Sequence, residues 1–284
     1  MHLRIMTEQD VPAGVRLNTL SGWNQTAADW RRFLDHSPRG CFVMEHDGKV
    51  VGTATTSCYE DRFAWIGMVL VDHEYRKQGI GTGLLKKTIE YLDDARIATM
   101  KLDATPQGKP LYTKLGFVDE YEIERWILKR WPGAASTTQR AARATLSKIQ
   151  MEHILRLDRE LFGADRSFLL RSVLKETPEF AMAVWENGLP QGYAFGRRGL
   201  FADHLGPWMA RNHAGAEKTL QEFLTKSCRE TLIVDYKKSN AMVAELLAAH
   251  GFAPARPLTR MVRGPNSYPG RPDLLCAILG PEFG

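Results

Sequence analysis

The chain has 284 residues, 44% of them hydrophobic and 25% charged, with a formal net charge of +5 at pH 7. That length accommodates two ordinary domains, and the balance is that of a globular chain rather than a disordered or fibrous one. No apolar run approaches the roughly eighteen residues of a membrane span, Met1-His2-Leu3-Arg4-Ile5 has no signal-peptide pattern, and basic residues interleaved with acidic ones describe a solvated surface, not a nucleic-acid or membrane partner.

The first half reads as a mixed succession of strands and helices. A short strand is expected over 3–5. Thr7 and Asp10 then have the spacing of a capping box, starting a helix that reaches about Leu20, and Thr26 and Asp29 repeat it for a helix through Leu34. Residues 41–45 and 50–57 are β-rich and flank Asp47-Gly48, a strong hairpin signal. Residues 63–71 form the next strand. A helix over 79–94 carries Leu85, Thr88, Ile89 and Leu92 on one face. A strand over 99–104, a short helix over 109–114 ended by Gly116 and a strand over 117–128 complete an α+β sheet built around a central hairpin.

The most informative run is Val69-Leu70-Val71-Asp72-His73-Glu74-Tyr75-Arg76-Lys77-Gln78-Gly79-Ile80-Gly81-Thr82-Gly83. A strand enters a polar turn containing Arg-x-x-Gly-x-Gly, and a helix starts on the glycines. Glycines let the backbone approach an anion closely, and the first amides of a helix have no partner inside it. Those amides and the helix dipole favour negative charge there, and Arg76 and Lys77 add positive charge. The Walker pattern Gly-x-x-x-x-Gly-Lys-Ser/Thr is absent. The third glycine of a dinucleotide fingerprint falls one residue early, at Gly83, which disfavours a nicotinamide-dependent enzyme.

Downstream stand Leu102-Asp103-Ala104-Thr105-Pro106 and Leu111-Tyr112-Thr113-Lys114-Leu115-Gly116-Phe117. Arg-x-x-Gly-x-Gly followed about thirty residues later by Leu-Tyr-x-x-Leu-Gly-Phe resembles the GNAT superfamily of N-acetyltransferases, over roughly residues 1–130. The resemblance implies that Val69, Leu70 and Val71 form the splayed strand that pairs with the pantetheine arm of acetyl-CoA. It implies that Arg76, Lys77, Gln78, Gly79, Ile80, Gly81 and Thr82 hold the pyrophosphate, and that Tyr112 is the general acid. Members often carry Asn seven residues before that tyrosine; Thr105 stands there in this chain, so this cofactor contact departs from the pattern.

A linker is expected over 131–144, which contains Pro132-Gly133-Ala134-Ala135-Ser136. The second half then repeats the first. Val184-Trp185-Glu186-Asn187-Gly188 followed by Gly192 parallels Met44-Glu45-His46-Asp47-Gly48 followed by Gly52. Sixty-four residues separate Gly52 from Gly116 and 59 separate Gly192 from Gly251, each closing on Gly-Phe. Two copies of one fold are the economical explanation: a GNAT-like domain over 1–130 and a second GNAT-like lobe over 145–284. A strand over 232–235 and a helix over 240–250 fit the second copy. That copy is degenerate. Arg211-Asn212-His213-Ala214-Gly215-Ala216 replaces the glycine turn and Leu247 stands at the place of Tyr112, while Asn240 stands at the place of Thr105. The second lobe is expected to shape access to the first.

The function implied is acetyl transfer from acetyl-CoA to a primary amine of a small molecule or peptide. The alternatives are an acetyl-CoA sensor without turnover and an N-acyltransferase that uses a longer acyl-CoA. Glu60, Asp61 and Asp72 are the carboxylates nearest the presumed active strand, and none is singled out as base. Trp23 and Asn24, beside Gln25, are weak acceptor-site candidates, as is Tyr59. Trp65, Trp126, Trp131, Trp185 and Trp208 are expected in packing. The eight histidines and four cysteines show no metal-ligand spacing, so no metal is expected, and the cysteines read as reduced thiols of a cytoplasmic protein.

Overall fold

The computed structural model describes residues 1–130 and 146–284, so the linker expected over 131–144, with Trp131, lies outside the described residues. The chain forms two compact units. The first comprises Met1–Glu120, Arg260–Ser267 and Pro281–Gly284; the second comprises Tyr121–Thr259 and Tyr268–Gly280. Residues 121–130, which sequence order places with the first lobe, fall in the second unit.

In the first unit β1 (His2–Ile5), β2 (Phe42–His46), β3 (Lys49–Tyr59) and β4 (Phe63–Val71) are neighbours in order, each antiparallel to the next. β5 (Met100–Ala104) joins β4 in parallel. Asp47 and Gly48 turn the β2–β3 hairpin with φ of 49° and 75°, the two positive angles that a tight hairpin of this hand requires. The Thr7–Asp10 capping box opens a single 3-10 turn, Glu8–Asp10, which leads into α1 (Val11–Leu20), while the Thr26–Asp29 box starts α2 (Ala27–His36) as the sequence predicts. α1 and α2 pack closely, because a Cβ on Gly14 would stand 2.7 Å from the Trp30 ring. α3 (Ile80–Asp94) lays Leu85, Ile89 and Leu92 on Ala64, Ile66, Met100, Leu102 and Phe117. α4 (Lys109–Lys114) and the start of β6 (Val118–Lys129) follow.

In the second unit α5 (Lys148–Phe162) and α6 (Ser167–Glu176) precede β7 (Met182–Glu186), β8 (Leu189–Arg198) and β9 (Asp203–Ala210). The β7–β8 turn repeats the left-handed pair of the first hairpin, with Asn187 at 50° and Gly188 at 76°. α7 (His213–Lys226) places Leu220 and Phe223 on the core beneath it. β10 (Thr231–Lys237) pairs in parallel with β9 and antiparallel with β6. α8 (Ala241–Ala249), β11 (Ala253–Arg263) and the short β12 (Leu275–Ala277) complete the chain's elements. The element order of the first unit is thus repeated, and both units are mixed α/β.

Candidate active site

β4 is the strand around which the first unit's site is built. Its parallel pairing with β5 covers Ala64 with Met100 and Trp65 with Lys101, and goes no further. Its antiparallel pairing with β3 shifts register between Gly67 and Leu70, where Met68 has a φ of 49°. A non-glycine residue in the left-handed region makes a bulge that turns the strand and frees backbone groups from the ladder. The Met68 carbonyl is held by the Thr53 hydroxyl at 2.8 Å. Beyond Trp65, then, β4 leaves β5 and carries Val69, Leu70 and Val71 along a splayed edge.

That edge leads to the glycine turn. Lys77 and Gly79 have φ of 62° and 81°, and alternating left-handed residues curl successive amides into a concave anion site. α3 opens at Ile80, with the Gly83 amide donating to the Gly79 carbonyl at 2.9 Å. The amides of Ile80, Gly81 and Thr82 are the orphan donors of that helix. The turn from Arg76 to Gly79 is exposed, and Arg76 Nε donates back to the Val71 carbonyl at 3.3 Å. A Cβ on Gly81 would stand 3.6 Å from Val71 and 3.7 Å from Leu111. The end of β4, the start of α3 and α4 therefore converge on one point.

Tyr112 follows Leu111 on α4. It and Val69 pack on the same core cluster, and its ring meets Phe117 edge-on at 6.2 Å. Burial pushes its phenol up to about 12. Thr105 is used locally. Its hydroxyl accepts from the Gly108 amide at 3.2 Å and its carbonyl from Lys109 at 3.0 Å, so it helps start α4.

The acceptor-site candidates separate. Asn24 and Gln25 are buried and Trp23 is half-buried in the α1–α2 connection, which Asn18 Nδ2 holds by donating to the Gln25 carbonyl at 3.0 Å. Tyr59 is fully buried, and its hydroxyl donates to the Phe283 carbonyl at 2.8 Å. Of the carboxylates, Glu60 sits in the β3–β4 turn, 3.3 Å from Arg62. That turn is the end of the hairpin remote from the bulge, while Asp61 is exposed beside it. Asp72 is buried; burial alone would raise its pKa, but Arg16 at 2.8 Å and Lys49 at 3.3 Å hold it below the ordinary carboxylate value. Trp65, Trp126 and Trp208 are buried, as packing requires, while Trp185 is half-buried. Among the described residues no cluster of three or more His, Cys, Asp or Glu could hold a metal ion, and no helix is long and apolar enough to cross a membrane.

The equivalent cleft of the second unit is closed from within. β12 pairs with β9, Leu275 against Met209 and Ala277 against Trp208, and also with β10, Ala277 against Tyr236. The family-like Asn240 is engaged in this closure. Its Nδ2 donates to the Leu275 carbonyl at 3.1 Å while its Oδ1 caps α8 at Val243.

Comparison with known proteins matches both repeats. The profile described as "Acetyltransferase (GNAT) family" covers residues 8–117, and that described as "Acetyltransferase (GNAT) domain" covers residues 154–276. The chain is 27% identical over 66% of its length to the uncharacterized N-acetyltransferase YitH of Bacillus subtilis, and the match spans 64% of that protein. It is 23% identical over 92% of its length to holothin acyltransferase of a Pseudoalteromonas species, spanning 87% of that protein. The fold matches a putative acetyltransferase from Pyrococcus horikoshii with a TM-score of 0.81, at 24% identity, over 100% of this chain and 95% of that one. Two GNAT profiles on two repeats, with a splayed strand leading to a helix N-terminus in the first, place this chain in the GNAT superfamily of acyltransferases, as a tandem of two GNAT domains.

Proposed function

We propose that the first unit transfers an acetyl group from acetyl-CoA directly to a primary amine of a small molecule or peptide. The observation that carries this reading is the parting of β4 from β5 after Trp65, with a left-handed bulge at Met68 and Tyr112 beside the same cluster as Val69. Acetyl-CoA fits this cleft. The free edge of Val69–Val71 offers backbone partners to a pantetheine amide chain, and the amides of residues 77–82 with Arg76 and Lys77 offer a pyrophosphate its donors.

The chemistry follows from these groups. The acyl thioester supplies an electrophilic carbon, and attack by the neutral amine builds negative charge on its oxygen. Backbone amides freed at the bulge near Val69 are placed to receive that charge. The C–S bond then breaks and leaves charge on sulphur, toward which the Tyr112 hydroxyl donates. A phenol pushed up to about 12 stays protonated at any physiological pH, and is available as a donor.

The test measures coenzyme A release, by chromatography, from acetyl-CoA with pooled amino acids, polyamines and amine-bearing peptides. Acceptor-dependent release that falls at least about tenfold in Tyr112→Phe is expected, a one-hydrogen-bond loss to a developing charge. Acetyl-CoA binding without release from any pool refutes the reading in favour of a sensor. The same assay with longer acyl-CoA chains decides the donor, a question raised by the relative named as an acyltransferase.

A further inference from the structure

Both units contain the same buried side-chain device, and in each the arginine comes from the other sequence repeat. In the first unit Arg260 donates from Nε and Nη2 to the two carboxylate oxygens of Asp103 on β5, each at 2.9 Å. Its guanidinium also lies over the ring of Trp65 on β4, 4.4 Å from the centroid. In the second unit Arg125 forks onto Asp235 of β10 at 2.7 and 2.6 Å, and His204 of β9 stands 3.2 Å from the same carboxylate. The register makes these places equivalent. Trp65 pairs with Lys101 and His204 with Ile233, and each aspartate stands two residues beyond that partner. Two residues beyond Trp65 and His204 are Gly67 and Gly206, where a Cβ would collide with the carbonyl of Glu282 and of Ile278 respectively. Arg125 stands nine residues after Gly116, and Arg260 nine residues after Gly251. Arg125, of the first repeat, thus serves the second unit, while Arg260–Ser267, of the second repeat, belongs to the first.

That segment is anchored in the first unit. Met261 is fully buried in the cluster that holds Phe117, Val69 and Tyr112. The Thr99 hydroxyl donates to the Pro265 carbonyl, and Asn266 Nδ2 donates to Glu120 at 2.9 Å. Arg260 itself sits at the fork of the splayed strands. β4 and β5 do not pair past Trp65 and Lys101. β4 goes on to the bulge at Met68. β5 goes on through Asp103 to Thr105, which helps start α4 and so carries Tyr112. One guanidinium therefore touches the last paired residue of β4 and the parted arm of β5. Its planar fork fixes the direction of the carboxylate, and its stacking fixes the spacing to the indole. The Arg260 and Asp103 side chains are 6% and 0% exposed, so water screens their attraction little.

We propose that Arg260, supplied by the degenerate repeat, is a positioning residue of the transfer site: it sets the two arms of the fork relative to each other, and through them the bulge amides and Tyr112. The inference rests on the transfer reading above and deepens it. The amides near Val69 and the Tyr112 hydroxyl must converge on one thioester, and a misplacement of about 1 Å costs on the order of a hundredfold in rate. Arg260 meets neither donor nor acceptor in this role. It acts through Trp65 and Asp103, and the second repeat is then indispensable to a reaction whose reacting groups all lie in the first.

The experiment uses the full chain, with Arg260→Lys, Arg260→Met and, as the matching change in the second unit, Arg125→Lys. Hydrogen exchange by mass spectrometry, thermal unfolding, calorimetric acetyl-CoA affinity and, for any amine that is acetylated, kcat and KM are measured on each. Both Arg260 variants should speed amide exchange over residues 66–71 and 103–112 at least about tenfold, and leave 203–210 and 231–237 at the wild-type rate. Arg125→Lys should do the reverse. Arg260→Lys should lower kcat at least about tenfold, while acetyl-CoA affinity changes less than about threefold because the glycine turn is untouched. Retained charge does not rescue the rate, since an ammonium makes neither the planar fork nor the stack. Arg260 variants that exchange like the wild type over 66–71 and 103–112 overturn the proposal. So do Arg260 variants that, while folded, turn over at the wild-type kcat, and so does an Arg125→Lys protein whose kcat falls as far, which makes the loss one of general stability. A wild type that acetylates no amine while the exchange patterns separate as stated sinks the transfer reading and leaves the brace standing.

Discussion

Gly81→Ala separates what the glycine turn does for the fold from what it does for a ligand. Gly81 is the second residue of α3 and is absent from the positions of positive φ. A Cβ there meets Val71 at 3.6 Å and Leu111 at 3.7 Å, which is ordinary van der Waals contact. Nothing in the fold requires glycine at this position. Replacing a helical glycine by alanine at a compatible site stabilises by about 0.4–1 kcal/mol, mainly by restricting the unfolded chain. For a domain of this size that is a rise in Tm of roughly 1–4 °C. The same Cβ points between the end of β4 and α4, where the proposed pyrophosphate would approach the amides. A methyl group forced into a filled contact costs about 1–3 kcal/mol, which raises the acetyl-CoA dissociation constant roughly 5- to 150-fold. Thermal unfolding without ligand and calorimetric titration with acetyl-CoA measure the two effects on one preparation. Stability up and affinity down is the expected outcome. A stabilised variant that binds acetyl-CoA as the wild type does refutes the placement of the pyrophosphate on this turn.

Two further outcomes follow from the buried ionisable groups. Because burial holds the Tyr112 phenol at about 12, loss of its proton cannot produce an alkaline limb in the transfer rate below that pH. A limb near pH 8–9 in the wild type that vanishes in Tyr112→Phe would refute the raised pKa, since Tyr112 would then be losing its proton well below 12. In the second unit Asp235 is fully buried. Burial alone would raise its pKa, but a bidentate pair with Arg125 at 2.7 and 2.6 Å, with His204 at 3.2 Å, holds it well below the carboxylate range. A depressed folded-state pKa contributes stability above the unfolded value near 3.9, and that contribution is lost as pH falls. Asp235→Asn should therefore cost about 3–5 kcal/mol at pH 7 in urea unfolding, by removing the buried carboxylate that pairs bidentately with Arg125. The difference should shrink toward pH 3, and an equal loss at both pH values contradicts the linkage.

Local signals in the sequence foretold local structure well. The spans 63–71 and 109–114 coincide with β4 and α4, and the capping boxes at Thr7 and Thr26 start a 3-10 turn and α2 respectively. The reason is that caps, glycine turns and alternation act within a few residues. The repeat was legible too, because Asp47-Gly48 and Asn187-Gly188 make the same turn for the same steric reason. α5 does carry such punctuation, a capping box of Ser147 with Gln150 and a left-handed Gly163 at its end, yet it went unread, as did α6, β11 and β12. The largest gap concerns Arg260. No spacing rule connects it to Asp103 across 157 residues. Tyr59 was singled out as an acceptor contact, whereas its hydroxyl is engaged by Phe283. Along the chain, the carboxylates that flank β4 are Glu60, Asp61 and Asp72.

The two units share an element order, and they differ in what lies between the parting strands. In the first, β4 and β5 pair at two positions and then separate toward a helix that begins with glycine-turn amides. In the second, β9 and β10 pair at three positions and β12 then bonds to both, so the edge groups that a pantetheine chain would need are already satisfied. At the start of α7 the Asn212 side chain accepts from the Gly215 amide at 2.8 Å, occupying a donor that an anion would require. Asn240, the residue most like the family's cofactor contact, is spent on holding Leu275 and capping α8. Loss of binding in the second unit is therefore expected to be structural, not a matter of one missing tyrosine. Restoring tyrosine by Leu247→Tyr should not create a second donor site, and calorimetry should give one acetyl-CoA per chain for both the wild type and this variant. A stoichiometry of two in the wild type would mean that β12 yields to ligand, and would overturn the assignment of a single donor site to the first unit.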